Sequence, residues 1–281
     1  MTDIIPVLFG VVQGLTEFIP VSSSGHLVIL HAIFSEEKFA DAVAFDVALH
    51  VGTLASLLIY FRKDCYKYLA AWFTSWSYIL KNGRRAGVSM NVDQRLAWYI
   101  CLAIVPAGLV GFFFENIIDT WLRSPWIVVV MLVLVALLFL WIERRGNAAF
   151  VRKLDAVRMR DALFIGSMQV LALIPGTSRS GITIISGMMA GLTRATAARF
   201  SFLISIPLIA AAGLKKGLDL ATMGLDPSEF PSFVSGVLAS SIVGYIAISF
   251  LLKFLERRSL RIFAWYRIVL AIIVSIVFIL I

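Results

Sequence analysis

Long apolar runs alternate with short polar or basic connections along most of the chain, and the lengths of those runs predict its architecture. A bilayer core needs about 20 apolar residues per crossing helix. Six stretches meet that length without interruption: 43–61, 96–114, 126–142, 198–214, 232–252 and 262–281. Two more apolar regions, 4–30 and 162–192, are cut in the middle by proline, glycine and serine. Each is expected to form two half-helices rather than one crossing. Non-helical backbone is tolerated at membrane depth only where protein buries it or it lines a wet cavity. The pattern therefore predicts an all-α polytopic membrane protein with six full transmembrane helices and two re-entrant broken-helix hairpins. Segment 66–80 is too short and too polar to cross, and its mixture of aromatic and basic residues suits a helix lying on the membrane surface.

Composition strengthens this picture. Sixty per cent of the 281 residues are hydrophobic and only 15% are charged, more apolar surface than a water-soluble chain could bury. No linker is long enough to separate two domains, so a single transmembrane domain over 1–281 is expected. Cys65 and Cys101 suggest neither a disulfide framework nor a CxxC metal site. No Lys or Arg precedes Lys38, so the first apolar segment lacks the basic region of a cleavable signal and is expected to be retained.

The net charge of +8 does not point to nucleic acid, because the basic residues lie between the apolar runs rather than on a soluble face. They set topology instead. Connection 62–95 carries Arg62, Lys63, Lys67, Lys81, Arg84, Arg85 and Arg95; 143–161 carries Arg144, Arg145, Arg152, Lys153, Arg158 and Arg160; 253–261 carries Lys253, Arg257, Arg258 and Arg261. The positive-inside rule places these three in the cytoplasm. Connections 31–42 (Lys38 with Glu36, Glu37 and Asp41), 115–124 (Arg123 with Glu115 and Asp119) and 215–231 (Lys215 and Lys216 with Asp219, Asp226 and Glu229) then face outward. Both termini are expected outside as well.

The two interrupted regions resemble each other. At a constant offset of 156, Gly10, Gln13, Leu15, Ser22, Ser24, Gly25 and Ile29 match Gly166, Gln169, Leu171, Ser178, Ser180, Gly181 and Ile185. Three full spans lie between the copies, an odd number, so the second half is reversed in the membrane: an inverted-topology repeat of about 1–143 and 161–281. Two breaks meeting near the midplane would present two half-helix N-termini, whose free N–H groups and positive dipole ends attract an anion. Arg179 adds a guanidinium that matches phosphate oxygens bidentately.

Several side chains near the breaks suit chemistry on such an anion. Glu17 and Arg179 are charges within apolar segments, each costing about 2.5–3.5 kcal/mol on insertion scales, which favours a function over a purely structural ion pair. His26 follows the turn and can act as base, nucleophile or proton donor, or pack against a carbonyl. Gln13, Ser22, Ser24, Gly25, Thr177, Ser178, Ser180 and Gly181 are candidate lining residues of the pocket, the serines alternatively serving close helix packing. Asp46 and His50 share a face of the next span and either reach the same cavity or bond between helices. No HExxH, DxDxxG or Walker pattern occurs, but a divalent ion could arrive on substrate phosphates with Glu17 completing its shell.

The stretch from Gln13 to His26, QGLTEFIPVSSSGH, with Pro175 to Gly181, PGTSRSG, closely resembles the two signature motifs of the bacterial undecaprenyl-diphosphate phosphatase family, known also for bacitracin resistance. The likeness extends through Phe45–Thr53 and Phe200–Pro207 and so covers essentially the whole chain. It implies hydrolysis of undecaprenyl diphosphate to undecaprenyl phosphate and inorganic phosphate in the bacterial cytoplasmic membrane, at a site opening to the outer, periplasmic side. That reaction recycles the lipid carrier of peptidoglycan synthesis, and bacitracin competes for the same substrate. Position by position, Ser23 and His26 become the candidates for nucleophile or general base. Glu17 would orient that group or hold Mg²⁺ or Ca²⁺, and Arg179 would clamp the diphosphate. Family members carry Glu or Gln, three residues, then Glu; here Gln13 takes the first place. The rival expectation is a polyprenyl-phosphate transporter on the same inverted-repeat plan.

Overall fold

The computed structural model describes residues 4–34, 42–82, 90–122, 124–223 and 228–280. Glu36, Glu37, Lys38, Asp41, Arg84, Arg85, Arg123 and Asp226, and the side chains of Glu115, Asp119 and Asp219, lie outside what is described. Among the described residues the chain is helical and contains no strand, only an isolated bridge between Arg152 and Leu192.

Among the described residues eleven α-helices follow in order: α1 Ile4–Phe18, α2 Ser23–Phe34, α3 Ala42–Tyr60, α4 Arg62–Asn82, α5 Val92–Trp121, α6 Pro125–Glu143, α7 Met159–Gln169, α8 Arg179–Met189, α9 Arg194–Met223, α10 Phe230–Arg257 and α11 Arg261–Leu280. Helices α3, α5, α6, α9, α10 and α11 are long and apolar enough to cross a membrane, and they coincide with the six uninterrupted runs. The chain is thus a multi-pass membrane protein. Both interrupted regions break where proline, glycine and serine fall. Helix α1 stops at Phe18 and α2 starts at Ser23; α7 gives way to a short 3₁₀ turn, Val170–Leu173, before α8 starts at Arg179.

Helices in lipid gain little from hydrophobic burial against one another, so close approach and interhelical hydrogen bonds hold them. Small residues provide both here. A Cβ added to Gly10 would collide with the carbonyl oxygen of Gly236, which lets α1 lie directly against α10. In the second half, a Cβ on Gly166 of α7 would collide with the carbonyl oxygen of Ala103 on α5. These contacts correspond under the 156-residue offset, since Gly10 and Gly166 are matched positions. Helix α3 joins α10 through Ser240 Oγ donating to Leu49 O (3.0 Å) and Ser56 Oγ donating to Ser241 O (2.6 Å).

One end of the bundle gathers the basic connections and is pinned by ion pairs. Arg194, at the start of α9, donates Nε and Nη2 to Glu143 at the end of α6 (2.7 and 2.5 Å), and Glu143 also accepts from the Leu260 N–H before α11 (2.9 Å). Arg199 pairs with Asp64 (2.7 Å), and Lys67 with Asp93 (2.8 Å). Helix α4 packs on α5 at this end, with Trp72 and Trp76 edge-on to each other and Trp98 beside both. Tyr66, Leu69 and Phe73 remain exposed on α4, the amphipathic surface that segment 66–80 predicted.

Candidate active site between the two helix breaks

The two breaks share an unusual backbone. Ser22 and Ser178 adopt φ values of 78° and 70°, the only non-glycine residues in the left-handed region among those described. A serine there costs of order 1 kcal/mol and persists only where its surroundings demand it. Each caps the half-helix that follows: Gly25 N–H donates to Ser22 Oγ (3.3 Å), and Gly181 N–H to Ser178 Oγ (3.1 Å). Each also lies 3.2 Å from the hydroxyl two residues on, Ser24 or Ser180.

The breaks meet. Gly176 N–H donates to Ser24 Oγ (3.1 Å), joining one turn to the other. Gly176 has φ of 89°, and a Cβ there would collide with the Val128 backbone of α6, so only glycine fits this approach. Behind both turns lies Arg267 of α11, wholly buried. Its guanidinium donates to Gly176 O (2.8 Å), Thr177 O (3.2 Å), Met131 O (3.2 Å), Leu132 O (3.2 Å) and Pro20 O (3.5 Å). These carbonyls are freed by the helix breaks or lie in the facing α6, and one cation gathers them. The sequence reading missed Arg267. It is the lone charge in 262–281, a position as costly as that of Arg179.

Glu17 is the hub of the polar cluster and is buried. Its Oε2 accepts from Ser23 Oγ (2.7 Å) and Gln13 Nε2 (3.0 Å) and lies 3.4 Å from His50 Nε2; its Oε1 pairs with Arg179 Nη2. Every one of these neighbours is a donor, an arrangement that suits a carboxylate anion. His50 Nδ1 lies 2.8 Å from the Asp46 carbonyl, which can only accept, so Nε2 donates to Glu17 in the imidazolium form. Residues from α1, α2, α3 and α8 thus converge on one carboxylate.

His26 is placed differently. Its Nδ1 lies 2.7 Å from Ser22 O and its Nε2 2.7 Å from the hydroxyl of Tyr266 on α11. It sits one turn from Ser23 without a bond to Glu17 or Arg179. Asp46 turns its carboxylate to His31 (3.1 and 3.2 Å) rather than to Glu17. With Ser24 and His50, these two residues line a cavity of about 590 Å³ whose other walls include Leu27, Val47 and Pro175.

Several buried polar atoms have no protein partner: Gln13 Oε1, Thr177 Oγ1, Arg179 Nη1 and both side-chain polar atoms of Gln169. A stranded buried donor or acceptor costs about 1–3 kcal/mol. An oxyanion would satisfy Thr177 and Arg179 at once.

Residues 6–273 match the family described as Bacitracin resistance protein BacA. A protein named undecaprenyl-diphosphatase from Rubrobacter xylanophilus is 44% identical over 269 residues, covering 96% of each chain. Proteins of the same name from Desulforudis audaxviator and Thermomicrobium roseum are 42% and 41% identical, again with 96% of each chain covered. With nearly its whole length matched by the family and by these relatives, the chain belongs to the bacitracin resistance protein BacA family.

Proposed function

We propose that the protein hydrolyses undecaprenyl diphosphate to undecaprenyl phosphate and inorganic phosphate, at the cluster built on Glu17, Ser23 and Arg179. The observation that carries this reading is the convergence of a hydroxyl, a carboxylate and a guanidinium between two half-helix N-termini, with donor atoms of Thr177 and Arg179 left unsatisfied. Phosphoryl transfer needs positioning and charge neutralisation more than elaborate covalent machinery.

Binding begins as an exchange of partners. The terminal phosphate takes Arg179, along with Thr177 Oγ1 and the N–H groups at the starts of α2 and α8. The Glu17 carboxylate, released from the guanidinium, is then free to accept the Ser23 proton across the existing 2.7 Å contact. Ser23 Oγ bonds to the terminal phosphorus as the bridging P–O bond breaks, and undecaprenyl phosphate leaves. Glu17 passes the serine proton to the departing undecaprenyl phosphate; water then attacks the phosphoserine, Glu17 takes the water proton and returns it to Ser23 Oγ as the P–O bond to serine breaks, and inorganic phosphate leaves. Gln13 and His50 hold the carboxylate from the sides facing away from Arg179, and the cavity by Ser24 and His50 offers water a path.

The protein can offer a divalent cation two oxygen donors, the Glu17 carboxylate and the unpartnered Gln13 Oε1. Among the described residues no three His, Cys, Asp or Glu side chains form a metal cluster. That donor set fits Mg²⁺ or Ca²⁺ carried in on the diphosphate, whose oxygens would complete its shell. Such an ion would neutralise phosphate charge.

The paired Ser22 and Ser178 turns and the matched Gly10 and Gly166 contacts support an inverted repeat within a single domain, its two hairpins re-entrant from opposite faces. The basic end of the bundle is then cytoplasmic, and the site opens to the outer side of the bacterial inner membrane. The test is phosphate release from undecaprenyl or farnesyl diphosphate by purified protein, with and without EDTA. Release that is abolished by Ser23→Ala supports the reading. Transport of polyprenyl phosphate without any release would replace it.

A further inference from the structure

Matched positions of the two halves line two different cavities. Val47 and His50 of α3 line the polar cavity described above; 156 residues on, Leu203 and Ile206 of α9 line a second one of about 350 Å³. This second cavity is wholly apolar. Leu58 of α3, Leu69 and Trp72 of α4 and Ile100 of α5 close it, no residue of either break reaches it, and no polar atom is exposed on its walls. Water finds no partner there, and a dry apolar cavity takes an apolar guest. It is also braced against collapse: Trp72 lies edge-on to Trp76 and beside Trp98, and Phe202, next to Leu203, packs on both Phe18 and Phe61. Leu58 and Leu69 are exposed at its edge, which opens it to hydrocarbon.

We infer that this cavity seats one acyl chain of an anionic phospholipid, whose headgroup rests on Arg62 and Lys63 at the start of α4. Charge selects the occupant. Arg62, Cys65, Leu69 and Trp72 follow at helical spacing on one face of α4, and the last three line the cavity, so Arg62 stands one turn beyond it on the same face. Arg62 and Lys63 are exposed, while the neighbouring carboxylates of Asp64 and Asp93 are already held by Arg199 and Lys67. Tyr66 and Trp76, also exposed on α4, are of the type that settles at headgroup level, which puts the two cations at the membrane surface. Basic residues so placed attract anionic lipid. A zwitterionic lipid offers the same chain but gains far less from the cations.

The experiment is photo-cross-linking of the wild-type protein in nanodiscs by phosphatidylglycerol or phosphatidylcholine carrying the same diazirine acyl chain, with the labelled residues mapped by mass spectrometry. Phosphatidylglycerol should label the cavity walls at Leu69, Ile100 and Ile206 about tenfold more than phosphatidylcholine, since each of the two surface cations contributes several-fold. Exposed Ile246 of α10 should take both lipids equally. Arg62→Ala combined with Lys63→Ala should bring the two lipids to parity at the cavity. Ile206→Trp, which fills it, should reduce labelling there to the level at Ile246. Equal labelling of the cavity by the two lipids in the wild-type protein overturns the inference, as does cavity labelling no stronger than that at Ile246. Displacement of the label by undecaprenyl phosphate overturns it too, because the cavity would then belong to a prenyl chain. Should Ile206→Trp fail to fold, the wild-type comparison and the double variant at the exposed cations decide.

Discussion

The breaks at Ser22 and Ser178 are the same turn carrying different chemistry. Both put a serine in the left-handed region, cap the next half-helix through the same hydroxyl and lie beside a second serine. Yet matched positions diverge wherever a reaction needs them to. Ser23 corresponds to Arg179, Glu17 to Leu173 and His26 to Ile182. One copy contributes the hydroxyl and its carboxylate, and the other the cation. The two matched turns thus present a pair of half-helix N-termini, which an anion needs, while their differing residues place opposite charges that a single turn could not hold so close.

That contrast is easiest to break at its chemical positions. Ser23→Ala or Glu17→Gln should lower phosphate release by about 10³-fold or more, as expected when members of one nucleophilic unit are removed. Arg179→Ala should cost about 10²–10³-fold in kcat, in line with loss of a transition-state anion donor. Arg179→Lys should recover part of that loss, because an ammonium keeps the charge but loses the bidentate fork. Each is read by phosphate release from protein whose thermal unfolding is unchanged.

The shared scaffold should respond in stability instead. Arg267→Leu strands carbonyls from both breaks and is expected to destabilise the fold by roughly 3 kcal/mol, at about 1–3 kcal/mol for each group left unsatisfied. Thermal unfolding in detergent measures it. The smallest effects sharpen the comparison most. Ser22→Ala and Ser178→Ala each remove a helix cap worth about 1 kcal/mol. If the two turns are equivalent as scaffold, the two losses agree; a difference much beyond that value would show that one turn is supported by contacts the other lacks.

Much of this is legible in the sequence alone. Six apolar runs of span length gave the six crossing helices to within a few residues, because the bilayer fixes both length and polarity. A helix over 66–80 was also readable, although it runs over Arg62–Asn82. The serine and glycine interruptions marked both breaks, and the two share their unusual residues at one constant offset. Glu17 and Arg179 stood out for a simple reason, namely that charges in apolar segments are expensive. By the same rule Arg267 could have been singled out, but inside one long hydrophobic run nothing linked it to either break.

Partnership was a different matter. The sequence grouped Glu17, His26 and Arg179 where the two breaks meet, and put Asp46 and His50 on one helix face. The fold does bring Arg179 to Glu17, but it adds Ser23 and His50 to that carboxylate, turns His26 to Tyr266, and gives the Asp46 carboxylate to His31. The sequence by itself determined which segments cross the membrane, where they break and which residues are too costly to be idle, since each is a local matter of hydropathy and turn chemistry. Only the tertiary structure decided which of those residues touch, because residues 162 positions apart meet through the packing of whole helices, and no local pattern encodes the direction in which a side chain then points.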